Sequence, residues 1–340
     1  MNEEINWAEV IDALPWPSME PDGESGLEGA IKGRFLKNMQ FSMNRCLAPG
    51  DDCRNQTILA HTVQNARTLQ LLQRNGHVKT FRPGLDEKGR LALDIEDIGR
   101  NKATTFEGFC SNHDTQLFVP IDTLPLDEPS AEQLFLLAYR AVAREVHAQM
   151  SGAMRLQQAF REGVEAGRFS KDQPSVAGLL PVRHMLIAYE GYKYKFDLDQ
   201  ALISRNYSSL HHKVLYLRDT LPSIAASSCF TVPEWTRDLA RVSLNLLPLS
   251  TDTSIAIFSY TPAHEEAAKS MLGRVFEAEG HLQKYLLSKL VLARCENMVI
   301  APDSFDTWTT DQIDVMKRYF SETTSDYFDR EDSRLYLFRN

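Results

Sequence analysis

The chain has 340 residues, 43% hydrophobic, 24% charged and 9% aromatic, with a net charge of −9. These values fit an ordinary globular protein able to bury a sizeable core, and the length suggests roughly two domains. No apolar run approaches the ~18 residues of a membrane span, and five cysteines are too few and too odd in number for a disulfide framework, which leaves metal binding or free thiols.

In chain order, residues 1–28 are acidic and carry Pro15, Pro17, Pro21 and several glycines, so a loosely docked arm is expected there. The start lacks the basic-then-apolar order of a signal peptide, which predicts a cytoplasmic protein without membrane contact. From Ala30 to Met43, the residues Ile31, Phe35, Leu36 and Met39 fall at helical spacing. Cys46 and Cys53 then enclose Leu-Ala-Pro-Gly-Asp-Asp, a turn-forming insert. A helix is expected over Thr62–Arg74, capped by Thr62 and stopped by Asn75-Gly76. His77 to Gly99 alternates apolar and polar residues around Gly and Pro, as a hairpin or irregular strands would. Pro120, Pro125 and Pro129 mark a boundary near Asp127. The expected organisation is an arm over 1–28, a zinc-binding module over 29–126, and a helical then α+β domain over 127–340.

Beyond Asp127, apolar residues repeat at helical spacing over Glu132–Met150, Ala153–Ala166 and Asp199–Asp219. Strand-like runs follow at 223–232, 242–249 and 254–261, the last two placed to pair as an antiparallel hairpin. Helices are expected over His264–Ala278, Leu282–Arg294 and Gln312–Phe320, with a short strand at 297–302. Helices and strands come in runs, so the fold class is α+β: an N-terminal treble-clef-like zinc module, a helical segment, and a C-terminal mixed α+β domain.

The net charge hides an asymmetry. Gly29 to Leu85 holds nine basic residues, including Arg54, Arg67, Arg74, Lys79 and Arg82, against Asp51 and Asp52. That stretch carries +7 and the remainder −16. A basic surface able to contact DNA or RNA is one reading of these five side chains, and a solvated face is the other.

Zinc takes four nitrogen or sulfur donors in a tetrahedron, and two donors two to four residues apart can come from one tight turn. Cys110-Ser-Asn-His113 meets that spacing. Cys46 and Cys53 are further apart, but Pro49-Gly50 allows the insert to fold back. Two such pairs about sixty residues apart suit a treble-clef-like finger, so Cys46, Cys53, Cys110 and His113 are the expected ligands of a structural Zn²⁺. His61 is an alternative ligand in place of Cys46 or Cys53, or a histidine bonded to backbone at a helix start.

The order of the cysteine pair, Ala60-His61-Thr62-Val63 and Phe109-Cys110-Ser111-Asn112-His113-Asp114 resembles the zinc-supported HNH nucleases. The resemblance covers Arg45 to Phe118. It implies His61 as general base, Cys110 and His113 as the second zinc pair, and Asp114 as a ligand of a catalytic Mg²⁺ or Mn²⁺, with Ala60 and Asp114 standing where the family has other residues. The segments AHTVQN, GHV, FEGFCSNHD, NLLPL and CENMVIAP also resemble a family of uncharacterised bacterial proteins.

His211-His212, placed on the expected 199–219 helix, would face different sides of it and share no metal. Cys229 and Cys295 read as core thiols. Glu190-Gly-Tyr-Lys-Tyr-Lys195 interleaves aromatics and bases, either as a stacking surface for a nucleic acid strand or as an exposed edge. There is no Gly-rich phosphate loop, GxSxG elbow or HExxH helix. Two functions remain: a zinc protein that contacts nucleic acid, in its sharpest form a diverged HNH-type nuclease; or a non-catalytic interaction or scaffold protein with a purely structural zinc, engaging protein partners through its acidic C-terminal domain.

Overall fold

The computed structural model describes residues 43–50, 53–85, 91–170, 176–232, 240–325 and 331–339. The acidic arm, and the helix expected over Ala30–Met43 up to residue 42, lie outside the described residues. Mixed α+β architecture is observed. A seven-stranded antiparallel sheet runs in the order β3-β2-β9-β6-β7-β8-β5, and β1 and β4 form a separate antiparallel pair. The strands are β1 (Thr57–His61), β2 (His77–Leu85), β3 (Leu91–Gly99), β4 (Thr105–Cys110), β5 (His211–Leu217), β6 (Ile224–Val232), β7 (Ala240–Pro248), β8 (Ser254–Tyr260) and β9 (Met298–Ile300). The main helices are α1 (Ser111–Asp122), α2 (Ala131–Glu165), α3 (Val176–Ile203), α4 (Glu265–Glu277), α5 (Gly280–Arg294) and α6 (Thr310–Ser325).

The central strands are buried along nearly their whole length because both faces of the sheet are covered. Alternate residues point to opposite faces. Along β8, Ala256 and Phe258 join Ile224, Leu244, Leu272, Val291 and Met316 in a core beneath α4, α5 and α6. Their neighbours Ile255 and Ile257 pack with Ala225, Val299, Leu134 and Leu137 under α2 on the other face. A third core joins Phe106, Phe109 and Phe118 to Phe135, Tyr139 and Val142 of α2 and to Tyr194 and Leu198 of α3. Burying a Phe or Leu side chain contributes about 2 to 3 kcal/mol each, so these contacts dominate the fold.

The hairpin expected over His77–Gly99 is present, with register pairs running from His77↔Gly99 to Leu85↔Leu91. It precedes the boundary near Asp127, and through Lys79↔Ile300 it pairs with β9, which follows that boundary. The chain around Asp127 is fixed by Gln133, whose side chain accepts from Asp127 N–H and donates to the Pro120 and Pro125 carbonyls. No helix among the described residues is long and apolar enough to cross a membrane.

Three expectations are corrected. The helix over Asp199–Asp219 stops at Ile203, and His211–Leu217 is instead edge strand β5, paired with β8. Arg205 adopts a left-handed φ of 54°, and the N–H groups of Arg205 and Asn206 bond back to the carbonyls of Leu202 and Ala201. That closure ends a helix in the way glycine usually does. His211 and His212 therefore lie on successive positions of a strand, His211 against Glu265 and His212 against Ser259. Secondly, the helix over Thr62–Arg74 shrinks to Asn65–Leu69 and Gln70–Leu72; Gln64, not Thr62, accepts from Arg67 N–H, while the Thr62 hydroxyl donates to the Thr104 carbonyl. Thirdly, Glu190–Lys195, expected as a stacking surface or an exposed edge, lies inside α3 with Tyr192 and Lys193 exposed but Tyr194 and Lys195 buried.

Candidate metal centre

Each donor is positioned by a different piece of chain. The Cys46 loop is tied to β4, since Leu47 N–H donates to the Gly108 carbonyl at 2.8 Å and Cys110 N–H points at Cys46 Sγ from 3.4 Å. Gly50 has φ +101°, a conformation that lets the insert reverse towards Cys53. Cys110 ends β4 and precedes α1, and His113 lies in the first turn of that helix. The β1–β4 register sets Thr57 opposite Cys110, which brings Cys53 and its following residues to the end of β4.

The outcome is a cluster of Cys46, Cys53, Cys110 and His113 whose donor atoms all lie within 4.8 Å of one another. His113 Nδ1 is 3.3 Å from Cys46 Sγ and 3.4 Å from Cys110 Sγ, and Cys53 Sγ is 3.9 Å from Cys110 Sγ. A tetrahedral zinc site with the usual bond lengths needs S···S edges of about 3.8 Å and S···N edges of about 3.6 Å. The three distances of 3.3, 3.4 and 3.9 Å lie near those edges, and three thiols with one imidazole form a set that suits zinc. The cluster can hold a metal ion such as zinc. His61 is not part of it, so both Cys46 and Cys53 belong to the quartet.

Electrostatics at the two buried thiols differ. Burial pushes Cys46 up to about 11, partly opposed by backbone hydrogen bonds at Ala48 and Cys110. Burial also raises Cys110, but hydrogen bonds from the His113 backbone, Cys53, Cys46 and Asn55 outweigh it and hold the thiol below its ordinary value. Its place at the start of α1 acts in the same direction, because a helix N-terminus favours negative charge. Asn55, whose Nδ2 points at Cys110 Sγ from 3.9 Å, was not singled out by sequence reasoning.

No protein-family model, curated protein or solved structure matches the chain. The site is therefore read from its own chemistry.

The remaining candidate residues are placed as follows. His61 ends β1, half-buried, with Nε2 3.3 Å from the Arg100 carbonyl; burial lowers its pKa, and the charges of Arg140 and Arg100 add to the effect. Asp114 sits in the first turn of α1, where burial raises its pKa against the pull of Arg140. Between them lies a residue the sequence reading missed. The Arg140 guanidinium, with 3% of its side chain exposed, grips Asp122 through two bonds of 2.8 and 2.6 Å, lies 3.9 Å from Asp114 and stacks on Phe118. The available signal was an arginine set in an otherwise apolar helical run, Leu136 to Ala143.

The five basic candidates do not converge. Arg74 pairs with Asp303 and Asp306, Lys79 with Asp97, and Arg82 with Glu96. Arg67 donates to the Thr123 carbonyl, and Arg54 is exposed next to Cys53. Of the five, Arg74 is met by carboxylates from a distant segment, and Lys79 and Arg82 by carboxylates of the facing strand β3.

Proposed function

We propose that this chain is a non-catalytic cytoplasmic interaction protein in which Cys46, Cys53, Cys110 and His113 hold a structural Zn²⁺, and which engages a protein partner. The observation that carries this reading is the donor set itself. Four protein donors within 4.8 Å of one another would complete zinc's usual coordination and leave no open position for water or substrate. Bound there, zinc supplies a crosslink between the Cys46–Cys53 loop, the end of β4 and the first turn of α1. The order of cysteine loop, antiparallel strand pair and ligand-bearing helix start supports a treble-clef-like module. Reduced thiols in the cytoplasm keep such a set available.

A second reading, the diverged HNH nuclease, is favoured by one observation: His61 at the end of β1 and Asp114 in the first turn of α1 both feel the charges of Arg140 and Asp122. In that reading Mg²⁺ or Mn²⁺ joins Asp114, His61 activates water, and Arg54 and Arg67 hold the strand. Against it, the Asp114 carboxylate already faces the buried Arg140 guanidinium.

The deciding experiment incubates zinc-loaded protein with single- and double-stranded DNA and RNA in Mg²⁺ or Mn²⁺ at low salt. The interaction reading expects no cleavage, no salt-dependent binding, and identical behaviour in His61→Ala. Cleavage that disappears in His61→Ala while zinc and fold are retained would replace it with the nuclease.

A further inference from the structure

Among the described residues, every large apolar side chain that α3 exposes falls on one line: Val182, Met185, Tyr189, Tyr192, Phe196 and Ile203, each 42–57% exposed. Their spacing alternates three and four residues, and Asp199 takes the one place in that alternation that is not apolar. A stripe this narrow is a coiled-coil seam, whereas a helix that only covers a globular core shows a broader face. The face of α3 that serves the core is a different one. Tyr194, Leu198 and Ala201, on the far side of the helix from the seam, pack with Tyr139 and Val142 of α2. The seam runs along a groove of about 580 Å³ beside the metal cluster, whose other walls are the Cys46–Cys53 loop and Met154 of α2.

Exposed apolar surface of this extent marks an interaction site, and the spacing says what fits it. From Val182 to Ile203 the seam covers three heptads, about 31 Å, so its occupant is a helix with the same repeat. The chain supplies such a helix in α3 itself, and a two-fold axis brings a stripe against its own copy. Half-exposed side chains of this size present about 90 Å² each. Two seams therefore cover about 1,100 Å² in total, which clears the ~1,000 Å² a specific interface needs.

Asp199 sets the direction of pairing. Parallel helices in register would place it against Asp199 of the second copy, a like-charge contact inside the seam. Antiparallel helices instead set Val182 against Asp199 of the second copy, Met185 against Phe196 and Tyr189 against Tyr192. Asp199 is buried and bonded to Lys195, so the antiparallel seam closes over no free charge.

We propose that the protein forms a homodimer in which α3 pairs antiparallel with α3 of a second copy along this seam, closing the groove beside the metal cluster. The inference rests on neither the identity of the metal nor a nucleic acid or protein partner.

Sedimentation velocity of the full-length protein is expected to show a monomer–dimer equilibrium in the micromolar range. Phe196→Asp and Met185→Asp should each weaken it about tenfold or more, and Leu282→Asp, exposed on α5, should leave it unchanged. Circular dichroism and melting curves show whether each variant is folded. A probe that depends on neither variant is p-benzoylphenylalanine at Phe196. Irradiation should give a product of dimer mass in which residue 196 is joined to the tryptic peptide 184–193 of the second copy. Four results would each overturn the proposal: protein that stays monomeric throughout that range, a dimer indifferent to folded seam variants, products of monomer mass alone, or a dimer-mass product joined to peptide 196–205, as parallel helices would give.

Discussion

Cys46 Sγ and His113 Nδ1 stand 3.3 Å apart although 67 residues separate them. A buried thiol and a half-buried imidazole held this close need a shared cation or proton to offset their desolvation, and a metal ion supplies the first. Protein purified without chelator is therefore expected to contain one zinc per chain, and Cys110→Ala or His113→Ala to contain none. In small zinc modules the metal contributes roughly 10 to 16 kcal/mol of apparent binding free energy. Here Phe109 and Phe118 also pack on α2, so chelation should lower the thermal midpoint rather than abolish folding. Elemental analysis and melting curves with and without chelator check this; metal-free protein whose melting ignores added zinc would sink the site.

Asn55 offers a finer test of the same centre. Its Nδ2 points at Cys110 Sγ without being a donor to the metal. Groups that orient a ligand in this way typically affect affinity 10- to 100-fold. Asn55→Ala should therefore weaken zinc about tenfold in competition with a fluorescent chelator while leaving the far-UV spectrum unchanged. Unaltered affinity would show that the contact is incidental.

The buried Arg140 holds two half-buried carboxylates, Asp122 by direct bonds and Asp114 at 3.9 Å. Arg140→Leu leaves both without their cation. Removing one partner of a fully buried ion pair costs about 3 to 5 kcal/mol; with Asp122 34% exposed, water can reach the remaining charge and the loss should fall below that range but stay above the surface-pair range of about 1 kcal/mol. Arg140→Lys should recover little, since an ammonium cannot make the two parallel bonds to Asp122 or stack on Phe118 as a guanidinium does. Urea unfolding of the three proteins measures the difference, and a loss below about 1 kcal/mol in Arg140→Leu would contradict it.

What the sequence made legible follows from range. Cys110-x-x-His113 is a local pattern within one turn of helix, and Pro49-Gly50 announces the reversal between Cys46 and Cys53; both are found where expected. Strands β6, β7 and β8 are legible from short apolar-rich runs, although buried polar residues such as Ser227, Arg241 and Asn245 interrupt them. Arg140–Asp122 and Arg74–Asp303 join positions 18 and 229 residues apart, and no local pattern encodes them. The missed end of α3 has a different cause: Arg205 takes the left-handed position where a glycine would have signalled the stop. The Thr62 cap failed because its hydroxyl is taken by the Thr104 carbonyl and by Asn297, whose side-chain Nδ2 donates to it.

Stability should depend on pH through His147. Burial, reinforced by Arg144 and then Arg155, pushes its pKa down to about 4, while the Met43 backbone bond opposes this. An unfolded histidine titrates near 6.5. Below pH 6.5 the unfolded chain binds a proton that the folded chain refuses until about pH 4, so this residue lowers stability as pH falls through that window and is neutral above it. The slope is about 1.4 kcal/mol per pH unit, and the full effect about 3 kcal/mol. His147→Gln should flatten the profile between pH 6.5 and 4 relative to the parent. Parallel profiles in urea unfolding would show that His147 titrates normally in the folded chain.

Lys195 and Asp199, one helical turn apart on α3, form the polar floor of the groove beside the metal cluster. Lys195 Nζ, with 1% of its side chain exposed, bonds both Asp199 oxygens at 2.7 and 2.9 Å, and Tyr139 donates to Oδ1 at 2.7 Å. Burial lowers the Lys195 pKa while Asp199 opposes the fall. Lys195→Met strands a carboxylate with one phenol donor, and Asp199→Leu strands an ammonium; each should cost about 3 to 5 kcal/mol. The double variant removes both charges and fills the space with apolar atoms, so its loss should be smaller than that of either single variant. Additive losses in the double-mutant cycle would mean that the two groups are solvated separately. A non-additive result would establish that the floor is a closed ion pair, and that any occupant of the groove meets methionine and aromatic walls rather than a free charge.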